Sequence, residues 1–316
     1  MATLEQRLED RVFEVASLAL DSLDCGRLRA AIEAKGWVLV RAPAADRVGF
    51  EALCRGLFDA PMIHGGRRPR TGISDAVQTV DPGEREIAPH CEYAYTPFRP
   101  DLAAFHCTEA PTRAGETTLV DGVALLDALA PQARADFEAQ DLTHDNEVPA
   151  IGWQRMFGIE DPSQLAAKLD AMIELFAARG GREQLRYRIG RDATLWFRYQ
   201  GPAIVPRARG RAFATSVGFP PTPDRTRPGK HTWLRFADGS VVDDSLRHAV
   251  LRDHGERLAV AHRWRPGDVL IADNWSVLHG RRAFVGAREI DACFGYADWL
   301  RPPDRAPVRS LLWAWS

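Results

Sequence analysis

Two histidine–glutamate pairs stand two residues apart in this chain, His90-Cys91-Glu92 and His254-Gly255-Glu256. A neutral imidazole nitrogen and a carboxylate oxygen are both ligands for a divalent metal, and iron(II) accepts the combination. Whether one pair can share an ion depends on the backbone beneath it. In a strand, residues i and i+2 point to the same face, whereas in a helix they diverge. His90 and Glu92 lie in "APHCEYAY", which reads as a strand that converges the two side chains. His254 and Glu256 lie in "SLRHAVLRDHGERL", which is helical in character and reads as a solvated face. One more histidine beside His90 and Glu92 would complete a facial triad with open positions for oxygen and a co-substrate. His279, in "DVLIADNWSVLHGRRAF", follows an apolar strand and a turn-like Asp273-Asn274 and is a candidate. Taken singly, each of these residues reads first as a hydrogen-bonded polar group at a strand end, since short spellings recur by chance.

Other chemistries leave no trace. The chain contains no GxxxxGK[ST], no GxGxxG after a strand, no GxSxG and no HExxH, which weakens nucleotide, dinucleotide, serine-hydrolase and zincin readings. The five cysteines are odd in number, widely spaced and free of any CxxC, so neither a disulfide framework nor a zinc–thiolate site is expected. A reducing cytoplasm fits. A net charge of −2 gives no support for a nucleic-acid or membrane partner. The opening "MATLEQRLEDRVFEVASLAL" reads as an amphipathic helix and not as a signal peptide. No apolar run reaches the length of a membrane span.

The positioning elements are mostly strands. "GWVLVRAP", Gly36 to Pro43, is a short apolar run bounded by Gly and Pro and reads as a buried strand. Strand-like runs "LAAFHCTE" and "ETTLVDG" follow between residues 85 and 122, with Pro and Gly between them. "EQLRYRI" and "TLWFRYQ" flank "GRDA", a hairpin pattern, and Arg265-Pro266-Gly267-Asp268 between two apolar runs reads as another hairpin turn. A helical insert is expected at about 161–181. Asp161 caps it, Pro162 suits its first position, and Leu165, Leu169, Met172, Ile173 and Phe176 share one face before Gly180-Gly181. No linker divides the chain. The fold expected is mainly β, a sandwich or jelly roll with helical additions, as one domain over 1–316.

"IAPHCEYAYTPFRPD", "AGETTLVDG", "RPGDVLIADN" and "LHGRRAFVGAREI" occur in an order and spacing that resemble the taurine dioxygenase/TfdA-like oxygenases dependent on iron(II) and 2-oxoglutarate. The similarity is to the branch with HxE in place of HxD, which includes clavaminate synthase-like and syringomycin-pathway hydroxylase-like enzymes. It covers roughly residues 35 to 300, the helical insert being the least specific part. The resemblance implies a distorted double-stranded β-helix core. It implies His90, Glu92 and His279 as iron ligands, with 2-oxoglutarate and O2 as the other cofactors. Thr117, in "GETT", corresponds to a threonine that helps hold 2-oxoglutarate. Arg288, nine residues after His279, corresponds to the arginine that pairs with its distal carboxylate. A guanidinium makes a bidentate, charge-assisted pair that a lysine cannot reproduce. Arg281 and Arg282 are nearer His279 and compete for that role. Cys91 stands where the syringomycin-like branch commonly has asparagine, and a packing role is expected for it. The stretch "RAFATSVGFPPTPDRTRPG" lacks the family's "WFNQ"-like pattern, so no substrate residue is carried over.

The reaction implied is oxidation of an unactivated C–H bond of an amino-acid-type substrate, free or bound to a peptidyl carrier protein, in specialised metabolism. Hydroxylation is the form expected, with desaturation, epoxidation or cyclisation on the same iron as alternatives. Related halogenases lack the ligand carboxylate and accept a halide there, so Glu92 implies oxygen chemistry. A competing reading is a cupin-like metalloenzyme using the same three residues without 2-oxoglutarate. Arg67, Arg68 and Arg70, in "HGGRRPRTG", could meet an anionic substrate but read first as a solvated loop.

Overall fold

A computed structural model describes residues 12–14, 23–43, 45–62, 76–178, 182–217, 231–248, 250 and 254–301. Two sheets face each other across the site. The larger has the strand order Val12–Glu14, Trp37–Arg41, Asp268–Asp273, Leu102–Glu109, Glu289–Tyr296 and Ala60–Pro61, with Val77–Thr79 also paired to Glu289–Tyr296. The smaller has the order Val260–His262, Thr117–Asp121, Val277–Arg281 and Ile87–His90. Strands distant in sequence lie side by side in both sheets, which is the double-stranded β-helix, or jelly roll.

The apolar runs that mark the strands have a physical reason for being continuous. Both faces of the larger sheet are covered, as in sheets that lack a solvated side. Trp37, Leu39, Phe105, Leu270 and Phe294 point inward to the smaller sheet. Val38, Val40, Val269 and Ile271 point outward against the helices Cys25–Lys35 and Arg47–Leu57, meeting Leu28, Ile32, Phe50, Leu53 and Leu57. Asp24 and Asp46 cap those helices by accepting backbone N–H groups. The helix Pro162–Ala178 begins after Asp161, which accepts the Ser163 N–H at 2.8 Å. Leu165, Leu169, Met172 and Phe176 are buried against Leu185, Leu195, Phe197 and Tyr199 of a separate four-stranded sheet. In that sheet Gln184–Ile189 and Leu195–Gly201 form the expected hairpin.

Two local readings are corrected. Val12–Glu14 is a strand, paired in parallel with Leu39–Arg41, where an amphipathic helix was expected. The open edge of the larger sheet offers backbone partners that outweigh weak helix propensity. The rest of that stretch, Arg67, Arg68, Arg70, Gly180-Gly181 and most of the "WFNQ"-deficient loop lie outside the described residues. Arg265 to Asp268 does turn the chain, with the Asp268 N–H on the Arg265 carbonyl at 3.0 Å, yet it closes no hairpin. Val260–His262 pairs with Thr117–Leu119 in the smaller sheet, and Asp268–Asp273 pairs within the larger one. Turn chemistry specifies a reversal and leaves open which strand is met next.

Gly267 shows what fixes this crossing. Its φ is +87°, and a Cβ there would sit 2.3 Å from the Ala42 carbonyl oxygen. Strain and a backbone clash both oppose a side chain. Gly267→Ala is expected to destabilise the fold by roughly 2–4 kcal/mol in urea unfolding. An unchanged midpoint would show that the crossing has slack.

Candidate metal centre

Cross-strand pairing sets the centre. His279, in the middle of Val277–Arg281, lies directly opposite His90, the last residue of Ile87–His90. Opposed residues of an antiparallel pair share a face, and the two rings stand 4.5 Å apart between centroids. The Nε2 atoms of His90 and His279 lie 3.6 and 3.5 Å from the same Glu92 oxygen. One ligand atom from each residue falls within a common 4.8 Å, all three residues are buried, and no other such group occurs among the described residues. His90 Nδ1 is 2.9 Å from the Ala88 carbonyl. A carbonyl only accepts, so Nδ1 carries the proton and Nε2 presents its lone pair. The ring of Phe105 meets His279 edge-on at 5.1 Å and walls one side.

This donor set suits a divalent cation. Metal–ligand bonds of ~2.1 Å at right angles put neighbouring ligand atoms ~3 Å apart. The separations of 3.5 and 3.6 Å are within a small side-chain rotation of that. Two imidazole nitrogens and one carboxylate oxygen fit iron(II).

His90 and Glu92 converge for a different reason from the one expected. The strand stops at His90, and Cys91 to Tyr95 form a turn, with Tyr93 at φ 57°. Glu92 therefore reaches back from a turn and not along a strand face. Cys91 does take the packing role, fully buried beside Val120, Leu125 and Leu278. Burial pushes its thiol up to about 11, away from the thiolate a metal would need. The second triplet stays apart: Glu256 is exposed, 4.0 Å from Arg282, and His254 meets Arg257 at 3.0 Å.

Thr117 starts the strand next to that of His279 and pairs in register with Arg281. Its Oγ1 accepts the indole N–H of Trp264 at 3.0 Å. Tryptophan only donates, so the Thr117 hydroxyl keeps its own proton for an acceptor such as a carboxylate. The arginines separate by their partners. Arg281 is buried and donates to the carbonyls of Asp81, Gly83 and Arg85, at 2.6 Å and 2.8 Å for the first and last. It is committed to holding that loop. Arg282 is largely exposed. Arg288 stacks on Phe284 at 5.4 Å, and its Nε is buried with no hydrogen-bond partner. No carboxylate pairs with it among the described residues. Burial first, and then the nearby Arg281 charge, lower its pKa to about 10. Beyond it, Glu289 and Asp291 are gripped from the outer face of the sheet by Arg47.

The family model for "Taurine catabolism dioxygenase TauD, TfdA family" matches residues 4–293. The chain belongs to that family. This dioxygenase uses iron(II), 2-oxoglutarate and O2. It is 27% identical over 256 residues to a clavaminate synthase-like protein of Arabidopsis thaliana, covering 74% of this chain and 72% of that one. It is 24% identical over 246 residues to the dapdiamide synthesis protein DdaC of Enterobacter agglomerans, covering 71% and 70%. Its fold is similar to the crystal structure of a taurine dioxygenase from Burkholderia xenovorans, with TM-score 0.55 and 13% identity over 95% of this chain and 94% of that one. Among its described residues no helix is long and apolar enough to cross a membrane. Trp264 and Asn274 are the polar-contact residues near the centre that motif reading passed over.

The lowered pKa of Arg288 has a sign that can be tested. Folding disfavours its charged form, so at neutral pH the cation opposes folding in the ligand-free dioxygenase. Arg288→Met is expected to raise ligand-free stability, by roughly 1 kcal/mol in thermal unfolding. A clear loss would reveal a partner within the chain.

Proposed function

We propose that His90, Glu92 and His279 hold the iron, and that Arg288 with the Thr117 hydroxyl receives the distal carboxylate of 2-oxoglutarate. The observation that carries this is the buried cross-strand cluster of two imidazoles and a carboxylate. Its companion is the half-buried Arg288 guanidinium, which meets no carboxylate among the described residues. Iron(II) and 2-oxoglutarate, when bound, supply the activation of O2 needed to oxidise an unactivated C–H bond. The chain's residues do the rest. His90, with Nδ1 tied to Ala88, keeps its ring fixed. Glu92 fills the third protein position, which leaves no place for a halide and favours oxygen transfer. Phe105 and the neighbouring apolar side chains exclude water. Arg288 fixes one end of the co-substrate through paired N–H donors.

On this reading residues 1–316 form one dioxygenase domain, with a helical insert at about 161–181, that hydroxylates an amino-acid-type small molecule, free or carrier-bound, in specialised metabolism. The names of its relatives, one a dapdiamide synthesis protein and one clavaminate synthase-like, support a small molecule of this class. Five free cysteines support a reducing cytoplasm.

The test is anaerobic addition of Fe(II) and 2-oxoglutarate. A weak visible charge-transfer band should appear, and His90→Ala and Glu92→Ala should abolish it. Arg288→Ala should raise the 2-oxoglutarate requirement by roughly 10- to 100-fold, the worth of a charge-assisted pair. A panel of free and carrier-tethered amino acids should contain one that triggers succinate release. A band indifferent to both ligand substitutions would refute the metal assignment, and an unaltered 2-oxoglutarate requirement would remove Arg288 from the site.

A further inference from the structure

Glu92 lies beyond the end of its strand, so no ladder of backbone hydrogen bonds holds it in place. Buried main-chain groups nevertheless need partners. Both groups of Glu92 find theirs in one side chain. Asn274 Oδ1 accepts the Glu92 N–H at 2.7 Å, and Asn274 Nδ2 donates to the Glu92 carbonyl at 2.9 Å. The second Nδ2 hydrogen reaches the Pro100 carbonyl, also at 2.9 Å. Only one orientation of the amide satisfies this set, since the reverse would put donor against donor.

We propose that Asn274 is the positioning residue for the metal-binding carboxylate, acting through the main chain of Glu92 and never touching the ion. This inference rests on the reading that Glu92 is an iron ligand. The clamp is itself rigid. Asn274 is fully buried, its N–H donates to the Asp101 carbonyl at 2.9 Å, and its own carbonyl accepts from Arg99, whose guanidinium stacks on Trp275 at 3.9 Å. Ser216 Oγ holds the adjoining Cys91 carbonyl at 2.7 Å. The left-handed backbone of Tyr93, uncommon for an aromatic residue, is maintained by these surroundings. Asn274 also sits in the crossing turn between Asp268–Asp273 and the His279 strand. One short connection therefore sets both Glu92 and His279. Aspartate could not donate to the two carbonyls, and serine could not span the N–H and C=O of one residue.

Co(II) is the probe, titrated into the full-length metal-free protein and followed by its visible absorption. Asn274→Ser should weaken Co(II) binding about 10- to 100-fold, as loss of a ligand's supporting partner typically does, and alter the ligand-field spectrum. In a Glu92→Ala background the same change should move the affinity by less than about twofold, because the group it acts through is gone. A role in general stability predicts equal weakening in both backgrounds, and that result would overturn the proposal. So would unchanged affinity and spectrum in Asn274→Ser alone. Unchanged affinity in Glu92→Ala alone would instead strike at the ligand assignment and take the clamp with it. If Asn274→Ser does not fold, as judged by circular dichroism and melting, Asn274→Gln keeps the amide's separate donor and acceptor atoms on a longer arm. It should show the same dependence on Glu92.

Discussion

The backbone pairing of His90 with His279 is the constraint on which the centre depends. These residues are nearly two hundred positions apart, yet they face each other across one antiparallel ladder. The ladder puts both imidazoles on the inner face at contact distance, and the apolar layers on either side of the larger sheet hold the sandwich closed around them. A carboxylate then has to arrive at the same point. It does so from a turn, which is why the surroundings of Glu92 carry as much of the geometry as the strands do.

Polar groups in this interior are sorted by whether the chain answers them. Arg281 has three carbonyl partners and Arg99 has two, so each serves as a strut. Arg288, on the same Phe284 ring as Arg281, meets no carboxylate among the described residues. An unanswered charge in a low-dielectric surrounding is a standing cost to folding, and a bound carboxylate removes it. The two arginines are of one type and close in sequence. Their partners alone distinguish the strut from the residue proposed to bind the co-substrate.

Much of this was legible beforehand, and unevenly. Continuous apolar runs such as "WVLV" and "VLIA" announce strands covered on both faces, and the spacing of Leu165, Leu169, Met172 and Phe176 announces the helix they form. The three clustered residues and Arg288 came from ordered motifs in separate parts of the chain. Local chemistry failed where a distant element decided the outcome. Val12–Glu14 became a strand because an edge was available, and the turn at Gly267 sent the chain to the opposite sheet. The i, i+2 rule gave the right convergence of His90 and Glu92 through the wrong geometry, since strand alternation ends one residue too soon. Asn274, spelled only as part of a turn, carried no signal of its three side-chain hydrogen bonds.

The central claim is that two sheets and one turn bring His90, Glu92 and His279 to a single iron. Diffraction from crystals grown anaerobically with Fe(II), with anomalous differences collected at the iron edge, measures this directly. One strong peak is expected about 2.1 Å from the Nε2 atoms of His90 and His279 and from a Glu92 carboxylate oxygen. A peak bound by other residues, or an ordered triad with no peak between its ligand atoms, would contradict it.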